Sequence, residues 1–211
     1  MADPIARSPI HPAPPVTVER GREVNASRTD ADLRITDRTP LAKVLIRAPE
    51  GGTVARTLGV GFGRTARDER GTLVTGSGPG EWTLISPPGD TRETIERVEA
   101  VSGDEFVSVV DVTHGRALVR ISGDKTPDLL SKVCGIDLSD EITPNGAAFR
   151  SSVAKVAANV VRDDEEGVRS YLLHCERSYG QYLFDALMDA GDEFGIGVDG
   201  FVAPESKEPR A

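Results

Sequence analysis

The sequence runs twice through the same order of secondary-structure patterns, and this order is the strongest constraint on its fold. Hydrophobic periodicity in the first half predicts, in order, a strand over 41–47, a short helix from Thr53, strands over 71–76 and 81–86, a helix after Asp90 and a strand over 106–113. In the second half it predicts a strand over 117–122, a helix from Thr126, strands over 152–162 and 168–175, and a helix from Ser178. The repeated order strand, helix, two strands, helix predicts a pseudo-duplicated α+β fold with mainly antiparallel sheets and helices on one face of each sheet.

Local motifs mark three of the predicted helix starts. Asp90 with Glu93, and Ser178 with Gln181, have the spacing of a capping box. Thr126 followed by a proline has the pattern of a capping residue before a proline at the first helical position.

The remaining segments set the predicted domain boundaries. Residues 1–30 are expected to form an extended arm without hydrogen bonds of its own, ordered only against a partner, because they contain Pro4, Pro9, Pro12, Pro14 and Pro15. Residues 31–201 are expected to form one domain of two similar halves, about 31–113 and 114–201. Residues 202–211 are expected to be a polar tail.

The charge balance narrows the class of function. The chain has 25 basic and 34 acidic residues, a net charge of −9, and no basic cluster, which argues against nucleic-acid binding. It has no apolar run long enough to span a membrane, and prolines interrupt the N-terminus where a signal peptide is apolar. Cys134 and Cys175 form no CxxC pair, so we expect reduced, buried thiols and a cytoplasmic protein.

Three glycine-rich stretches raise the question of a phosphate-binding loop. The stretch GSGPGEWTLISP, residues 76–87, carries Gly76, Gly78 and Gly80 with the wrong spacing and leads into a strand, so it predicts a hairpin. The glycines at 59, 61 and 63 fail in the same way. The match GIGVDG, with glycines at 195, 197 and 200, follows a helix, so we interpret it as a helix C-cap.

The residue types of catalytic and metal sites occur without the required spacing. His11, His114 and His174 are scattered. Asp111 and His114 could pair as a base and its orienting group across a turn, but no nucleophile lies nearby in the sequence, so we favour a local hydrogen bond at a strand end. His174 and Cys175 are adjacent on a strand and therefore face opposite sides. The acidic run 163–166 predicts a solvated turn, and Arg116 and Arg120 fit either a solvated sheet face or a partner contact. We therefore predict no catalytic, cofactor-binding or metal-binding residue.

Two stretches resemble a known protein family. DVTHGRALVRISGDKTPDLLSKVCGIDL, residues 111–138, resembles the segment of the folate-binding aminomethyltransferase superfamily in which Asp-x-Ser/Thr-His leads into a strand, a glycine turn and a leucine-rich helix. GPGEWTLISPPG, residues 78–89, resembles the Gly-Pro-x-Glu-Trp-Leu stretch of one branch, the gamma subunits of heterotetrameric sarcosine oxidases. The resemblance covers most of residues 33–201.

The resemblance implies an aminomethyltransferase folate-binding-domain-like fold and a non-catalytic structural role beside alpha, beta and delta subunits. Such a complex oxidises sarcosine to glycine and hydrogen peroxide and passes the one-carbon unit to tetrahydrofolate. The resemblance also implies that FAD, FMN, NAD, tetrahydrofolate and zinc are held by the other subunits. No cofactor is expected on this chain.

The chain departs from the catalytic members of the superfamily at one position. Those members carry an aspartate on the strand after the helix and linker, where this chain has SVAKVAANVVR, with Lys155 or Asn159 in place of the acid. The Lys-Gly-Cys-Tyr signature of the folate proteins linked to iron–sulfur maintenance is also missing. Two alternatives stay open: a stand-alone folate-binding aminomethyltransferase-like protein, and a general interaction module.

Overall fold

The computed structural model describes residues 5–204, which divide into two compact units. Unit 1 contains residues 5–40 and Gly115–Val202, and unit 2 contains Leu41–His114 with residues 203 and 204. In chain order the elements are β1 (Val16–Glu19), β2 (Arg22–Asn25), β3 (Arg34–Asp37), β4 (Ala42–Arg47), α1 (Thr53–Leu58), β5 (Thr65–Arg67), β6 (Leu73–Gly78), β7 (Glu81–Ser86), α2 (Thr91–Ser102), β8 (Ser108–Asp111), β9 (Arg116–Ser122), α3 (Thr126–Ser131), β10 (Ala148–Val153), β11 (Val156–Arg162), β12 (Ser170–Glu176), α4 (Gly180–Gly191) and β13 (Gly197–Asp199).

Unit 2 is built on an antiparallel sheet with the strand order β5-β6-β7-β4-β8. Side chains alternate along a strand, so one face of β4 and β7 is apolar and packs against α1 and α2. The centre of this core is formed by Val44, Ile46, Trp82, Leu84, Val54 and Val98. Trp82 is also fixed through its indole N–H, which donates to the carbonyl oxygen of Val60 at 2.7 Å.

Unit 1 is built on a sheet with the order β10-β11-β12-β9-β3-β13. Its neighbouring strands are antiparallel except β13, which runs parallel to β3. Helices α3 and α4 contribute to the core on one face of this sheet, which includes Ile35, Val119, Ile121, Tyr171, Leu173, Leu129, Leu130, Leu183 and Leu187. Full burial of each such side chain contributes about 1.5–3 kcal/mol to stability.

The two sheets share one topology, which confirms the pseudo-duplicated α+β fold. The order β5-β6-β7-β4 in unit 2 corresponds to β10-β11-β12-β9 in unit 1. In chain order, the first strand of each set leads to a short helix and the last leads to a long helix. Three strands, however, separate the two helices of each unit, where the sequence patterns predicted two.

The stretch that the sequence patterns predicted as one strand over 152–162 is a hairpin. β10 ends at Val153, β11 begins at Val156, and the two strands pair in antiparallel register. The turn residues Ala154 and Lys155 have φ values of 47° and 67°. Positive φ is uncommon in residues other than glycine, so nothing in the local sequence announces this turn.

The predicted helices exist, but their predicted capping contacts are wrong. Asp90 precedes α2 without a side-chain cap hydrogen bond, and Glu93 pairs with Arg70 instead. Before α4 the chain forms a 3₁₀ turn, Arg177–Tyr179, and α4 starts at Gly180. The α3 helix starts at Thr126, one residue before the predicted first position.

The glycine-rich stretch from residue 76 is the predicted hairpin. β6 and β7 pair on either side of a turn in which Gly80 has a φ of 63°. Gly76 has a different role, because its backbone bonds to Gly63 and Arg64 of the loop after α1 at 3.0 and 2.9 Å. A Cβ atom at Gly76 would lie 2.2 Å from the carbonyl oxygen of Gly61. Gly76 therefore permits a close approach of two backbones.

The glycines at 195, 197 and 200 also have structural roles. Gly195 closes the turn after α4 in the left-handed conformation, which confirms the predicted C-cap. Gly197 begins β13, a strand that the sequence patterns did not predict.

The N-terminal segment corrects the expectation of an arm without hydrogen bonds. β1 and β2 form a hairpin, and Ile10 is 2% exposed within the core of unit 1. The backbone N–H of His11 donates to Oε1 of Gln181 at 2.7 Å. These contacts lie within the chain itself and do not require a partner. Pro4 and the tail from residue 205 lie outside the described residues.

The prediction that residues 31–201 form one domain of two halves, about 31–113 and 114–201, stays a prediction. Residues 31–40 were assigned to the first half, but they group with residues from 115 onward in unit 1. The sheet of unit 1 is thus completed by β3, which comes from before unit 2 in the chain.

We expect Gly76→Ala to lower the free energy of unfolding by about 2 kcal/mol, because the new methyl group overlaps the Gly61 carbonyl group. Gly61→Ala is the matched control, since a Cβ atom added at Gly61 would have no other atom within 4 Å. Urea unfolding followed by fluorescence of Trp82, the one tryptophan, measures both variants. Equal midpoints for the two variants would contradict the close approach.

We expect Ile10→Ala to lower the free energy of unfolding by about 3 kcal/mol, because Ile10 fills a buried position in unit 1. Ile5→Ala, at a residue 50% exposed, should change it by less than about 0.5 kcal/mol. Thermal and urea unfolding monitored by circular dichroism compare the two variants. A neutral Ile10→Ala variant would restore the view of a segment that needs a partner.

Candidate functional site

Asp111 makes a local hydrogen bond, and the three histidines differ in their burial. Oδ1 of Asp111 accepts the backbone N–H of Thr113 at 2.8 Å, which confirms a local hydrogen bond at the end of a strand. His11 and His114 are exposed, whereas His174 is buried in β12. Across residues 5–204, no group of three or more His, Cys, Asp or Glu side chains has the arrangement of a metal site.

His174 and Cys175 lie on opposite faces of β12, as predicted. Cys175 belongs to the apolar core of unit 1, while His174 pairs in register with Asn159 on β11. Burial raises the pKa of the Cys175 thiol to about 11, so the thiol stays protonated near neutral pH. Cys134 is also buried and free.

The acidic run 163–166 is a turn, but the expectation that it is simply solvated is wrong. Asp163 and Glu165 bind Arg120, which is 5% exposed in β9. Nη2 of Arg120 lies 2.5 Å from Oδ2 of Asp163 and 3.0 Å from Oε1 of Glu165. Nη1 of Arg120 donates to the Asp163 carbonyl oxygen at 2.8 Å and to Ser170 Oγ at 2.6 Å. A solvated sheet face therefore fails as an account of Arg120.

A second buried arginine uses the next acid of the same turn. Arg162 is 5% exposed at the end of β11, and Nε and Nη2 bind the two carboxylate oxygens of Asp164 at 3.2 and 3.1 Å. Its Nη1 donates to Oδ1 of Asp140 at 2.5 Å and to the carbonyl oxygen of Thr143 at 2.7 Å. The guanidinium lies 6.0 Å from the ring centre of Tyr171.

Electrostatic compensation explains why these charges can be buried. Burial lowers the pKa of Arg162, but hydrogen bonds to Asp164 and Asp140 outweigh this effect and hold the pKa above its usual value. The hydrogen bond from Arg162 is the main reason that the pKa of Asp140 lies below its usual range. Each acid partner is already bound to an arginine, so these contacts stabilise the fold. We call this set of side chains the arginine–acid network: Arg120, Arg162, Asp140, Asp163, Asp164 and Glu165.

An open groove in unit 2 with a mainly apolar lining is one candidate for a ligand site. Its volume is about 680 Å³, and it lies where α1 and α2 cross β6 and β7. Its floor includes Val54, Leu58, Val74, Leu84, Val98 and Val101. At its rim Arg97 binds Asp68 and Thr72, each at 3.1 Å, and Arg70 binds Glu93. The rim charges compensate each other and do not converge on a ligand.

Lys155 and Asn159 are the two candidates for the position at which catalytic members of the superfamily carry an aspartate. Lys155 is exposed in the turn between β10 and β11, and Asn159 is half-buried in β11 opposite His174. The conclusion that no catalytic or cofactor-binding residue is present stays a prediction. The described helices include none that is both long and apolar enough to cross a bilayer.

We expect Arg120→Gln to lower the free energy of unfolding by about 3 kcal/mol, because it leaves Asp163, whose side chain is only 11% exposed, without its cation. Arg116→Gln on the same strand is the control. Arg116 pairs with the exposed Glu176, so the loss should stay below about 1 kcal/mol. Urea unfolding followed by circular dichroism gives both values. A loss of similar size in the two variants would contradict the structural role of the network.

The chain is similar to two curated proteins of different length. It is 28% identical over 160 residues to the sarcosine oxidase subunit gamma of Corynebacterium sp. (strain P-1), covering 72% of this chain and 76% of that protein. It is 27% identical over 125 residues to the human mitochondrial dimethylglycine dehydrogenase, covering 58% of this chain. The chain spans only 14% of the dehydrogenase.

Two solved structures share the fold. A chain of the heterotetrameric sarcosine oxidase from Corynebacterium sp. U-96 matches with a TM-score of 0.69 and 22% identity, over 79% of this chain and 88% of that one. The aminomethyltransferase T of the glycine cleavage system from Bartonella henselae matches with a TM-score of 0.69 and 13% identity, over 88% of this chain and 55% of that one. At these identities the matches establish the aminomethyltransferase-like fold.

The family follows from the sequence. The family model of the GCVT N-terminal domain matches residues 70–207, which is more than half of the 211-residue chain. The matched region contains β6 to β13, and it therefore includes the part of unit 1 that follows unit 2 in the chain. The chain belongs to the GCVT N-terminal domain family.

Proposed function

We propose that this chain is the gamma subunit of a heterotetrameric sarcosine oxidase and has a non-catalytic, structural role in it. The observation that carries the proposal is the similarity to a sarcosine oxidase subunit gamma over 72% of this chain and 76% of that protein. A match of this kind aligns two chains of similar extent. The match to dimethylglycine dehydrogenase covers 14% of a much longer protein and says less about the role of a separate chain.

The chemistry of the complex would take place on other subunits. The methyl group of sarcosine loses two electrons, dioxygen is reduced to hydrogen peroxide, glycine is released and the one-carbon unit passes to tetrahydrofolate. In this proposal the alpha, beta and delta subunits hold FAD, FMN, NAD, tetrahydrofolate and zinc. This chain then contributes surface and rigidity to the assembly and takes no part in proton or electron transfer.

The polar groups of this chain support a structural role. The buried arginines of the network have carboxylate partners, and the Cys175 thiol is held protonated by burial. The resemblance puts either Lys155 or Asn159 at the position of the superfamily acid, and neither side chain fits the role of a carboxylate in folate chemistry. Two free, buried cysteines also support a reducing compartment, and we propose the cytoplasm.

We expect the full chain, tagged and co-expressed with the other three subunits, to purify as a yellow complex much heavier than one copy. The complex should oxidise sarcosine and release one hydrogen peroxide per glycine formed. Native mass, the visible spectrum and peroxide release test the three statements. The tagged chain expressed alone is the control and should be colourless.

Two results would contradict the subunit role. A colourless monomer that binds tetrahydrofolate in a titration would favour the stand-alone aminomethyltransferase-like alternative, whose fold this chain shares with aminomethyltransferase T. Capture of proteins other than oxidase subunits would favour a general interaction module.

A further inference from the structure

The strand β8 forms one edge of the unit 2 sheet. It pairs with β4 on one side, and among the described residues no strand lies on its other side. An open sheet edge is a template for pairing with another chain, and proteins usually cover or charge such edges. The segment before β8 is held in place, because the carboxylate of Glu105 accepts the N–H groups of Thr53 and Val54 at 2.8 and 3.1 Å.

Two large apolar side chains are exposed on one face of this edge, one just before β8 and one within it, on either side of the exposed Ser108. Phe106 is 90% exposed and Val110 is 45% exposed. Val107 and Val109 alternate with them and pack against the core of unit 2 on the other face. Exposed large apolar side chains on a fixed backbone have the properties of an interface, since little conformational entropy is lost when they are buried.

The backbone groups of β8 also point to this open edge. Val112 donates its N–H to the carbonyl oxygen of Lys43 on β4 at 2.9 Å. In an antiparallel ladder the hydrogen-bonded positions alternate, so Val110 and Ser108 also bond toward β4. The N–H and C=O groups of Val109 and Asp111 therefore point away from β4, in the direction from which an added strand would approach.

The sheet of unit 1 has a further strand at the position that corresponds to the outer side of β8. In unit 1 the strand beside β9 is β3, and a sixth strand, β13, pairs with β3 in parallel. In unit 2 the strand beside β4 is β8, so β8 corresponds to β3 in the strand order. The described part of unit 2 has no counterpart of β13. The duplicated topology thus identifies the outer side of β8 as the position of a sixth strand.

We propose that β8 receives an extended strand from another subunit of the complex, which completes the unit 2 sheet. This inference rests on the proposed function. The added strand would carry apolar side chains at alternate positions, to cover Phe106 and Val110, and basic residues near its ends. The exposed acids Asp104 and Asp111 flank this edge and attract such a strand. A second copy of this chain is disfavoured, because each copy carries a net charge of −9.

The first test measures amide hydrogen exchange in the complete wild-type chain, alone and in the co-expressed complex. The amides of Val109 and Asp111 should exchange at least about tenfold more slowly in the complex, because a new strand bonds them. The amide of Val110, which already bonds toward β4, should be protected in both samples and serves as an internal reference.

The second test removes the outward N–H group with Val109→Pro. This variant should enter the complex at least about tenfold less well than the wild type, because proline cannot donate to an added strand. Val109→Ala retains the N–H group and should assemble normally. Phe106→Ser should weaken assembly, while Phe62→Ser, at a residue 65% exposed elsewhere in unit 2, should not.

The possible results separate this inference from the proposed function. The inference alone is overturned if the complex assembles, the amides of Val109 and Asp111 keep their exchange rates in it, and the Val109→Pro variant assembles normally. Failure of the wild-type chain to bind any oxidase subunit overturns the proposed function and the inference with it. Slowed exchange of the same amides in a homodimer assigns the edge to a second copy and overturns the inference. If Val109→Pro does not fold, the exchange of the wild type decides.

Discussion

The burial of two guanidinium groups is the constraint on which the architecture of unit 1 depends. Arg120 and Arg162 lie in neighbouring rows of the sheet, so their side chains point to opposite faces. Removing a charge from water costs several kcal/mol unless a counter-charge lies beside it. A single turn supplies both counter-charges, since the adjacent residues Asp163 and Asp164 also point to opposite faces. The acidic run therefore allows one turn to supply counter-charges to buried arginines on both faces of the sheet.

The sequence predicted the elements that follow from periodicity and from turn residues. The strands at 81–86 and 117–122 are apolar at regular intervals, and the hairpin at Gly80 has the glycine that a left-handed turn position favours. The turn at Ala154 and Lys155 was missed because it adopts positive φ without glycine or asparagine. Its conformation is imposed by the pairing of β10 with β11, which is a tertiary effect that no local pattern carries.

The arginine–acid network was missed for a different reason. Alternation along β9 places Arg116 and Arg120 on one face, and a sheet face with two arginines suggests exposure to solvent. Only Arg116 is partly exposed, while Arg120 is buried against Asp163 and Ser170. One signal was present in the sequence, since four consecutive acids directly after the strand that ends at Arg162 can compensate an arginine of that strand and one of a neighbouring strand. Their pairing depends on the register of β9, β11 and β12, which the sequence does not specify by itself.

A shared fold is compatible with the divergent role proposed for this chain, because function depends on particular side chains. The chain has the fold of an aminomethyltransferase, but its buried Arg120 and Arg162 are paired with carboxylates and stabilise the structure. The duplication then has a second consequence. In unit 1 two strands, β3 and β13, extend the sheet beyond β9, whereas in the described part of unit 2 only β8 extends it beyond β4. The shorter sheet leaves an open edge with exposed apolar side chains. Their exposure does not stabilise an isolated chain, but a subunit of a larger assembly can bury them against a partner.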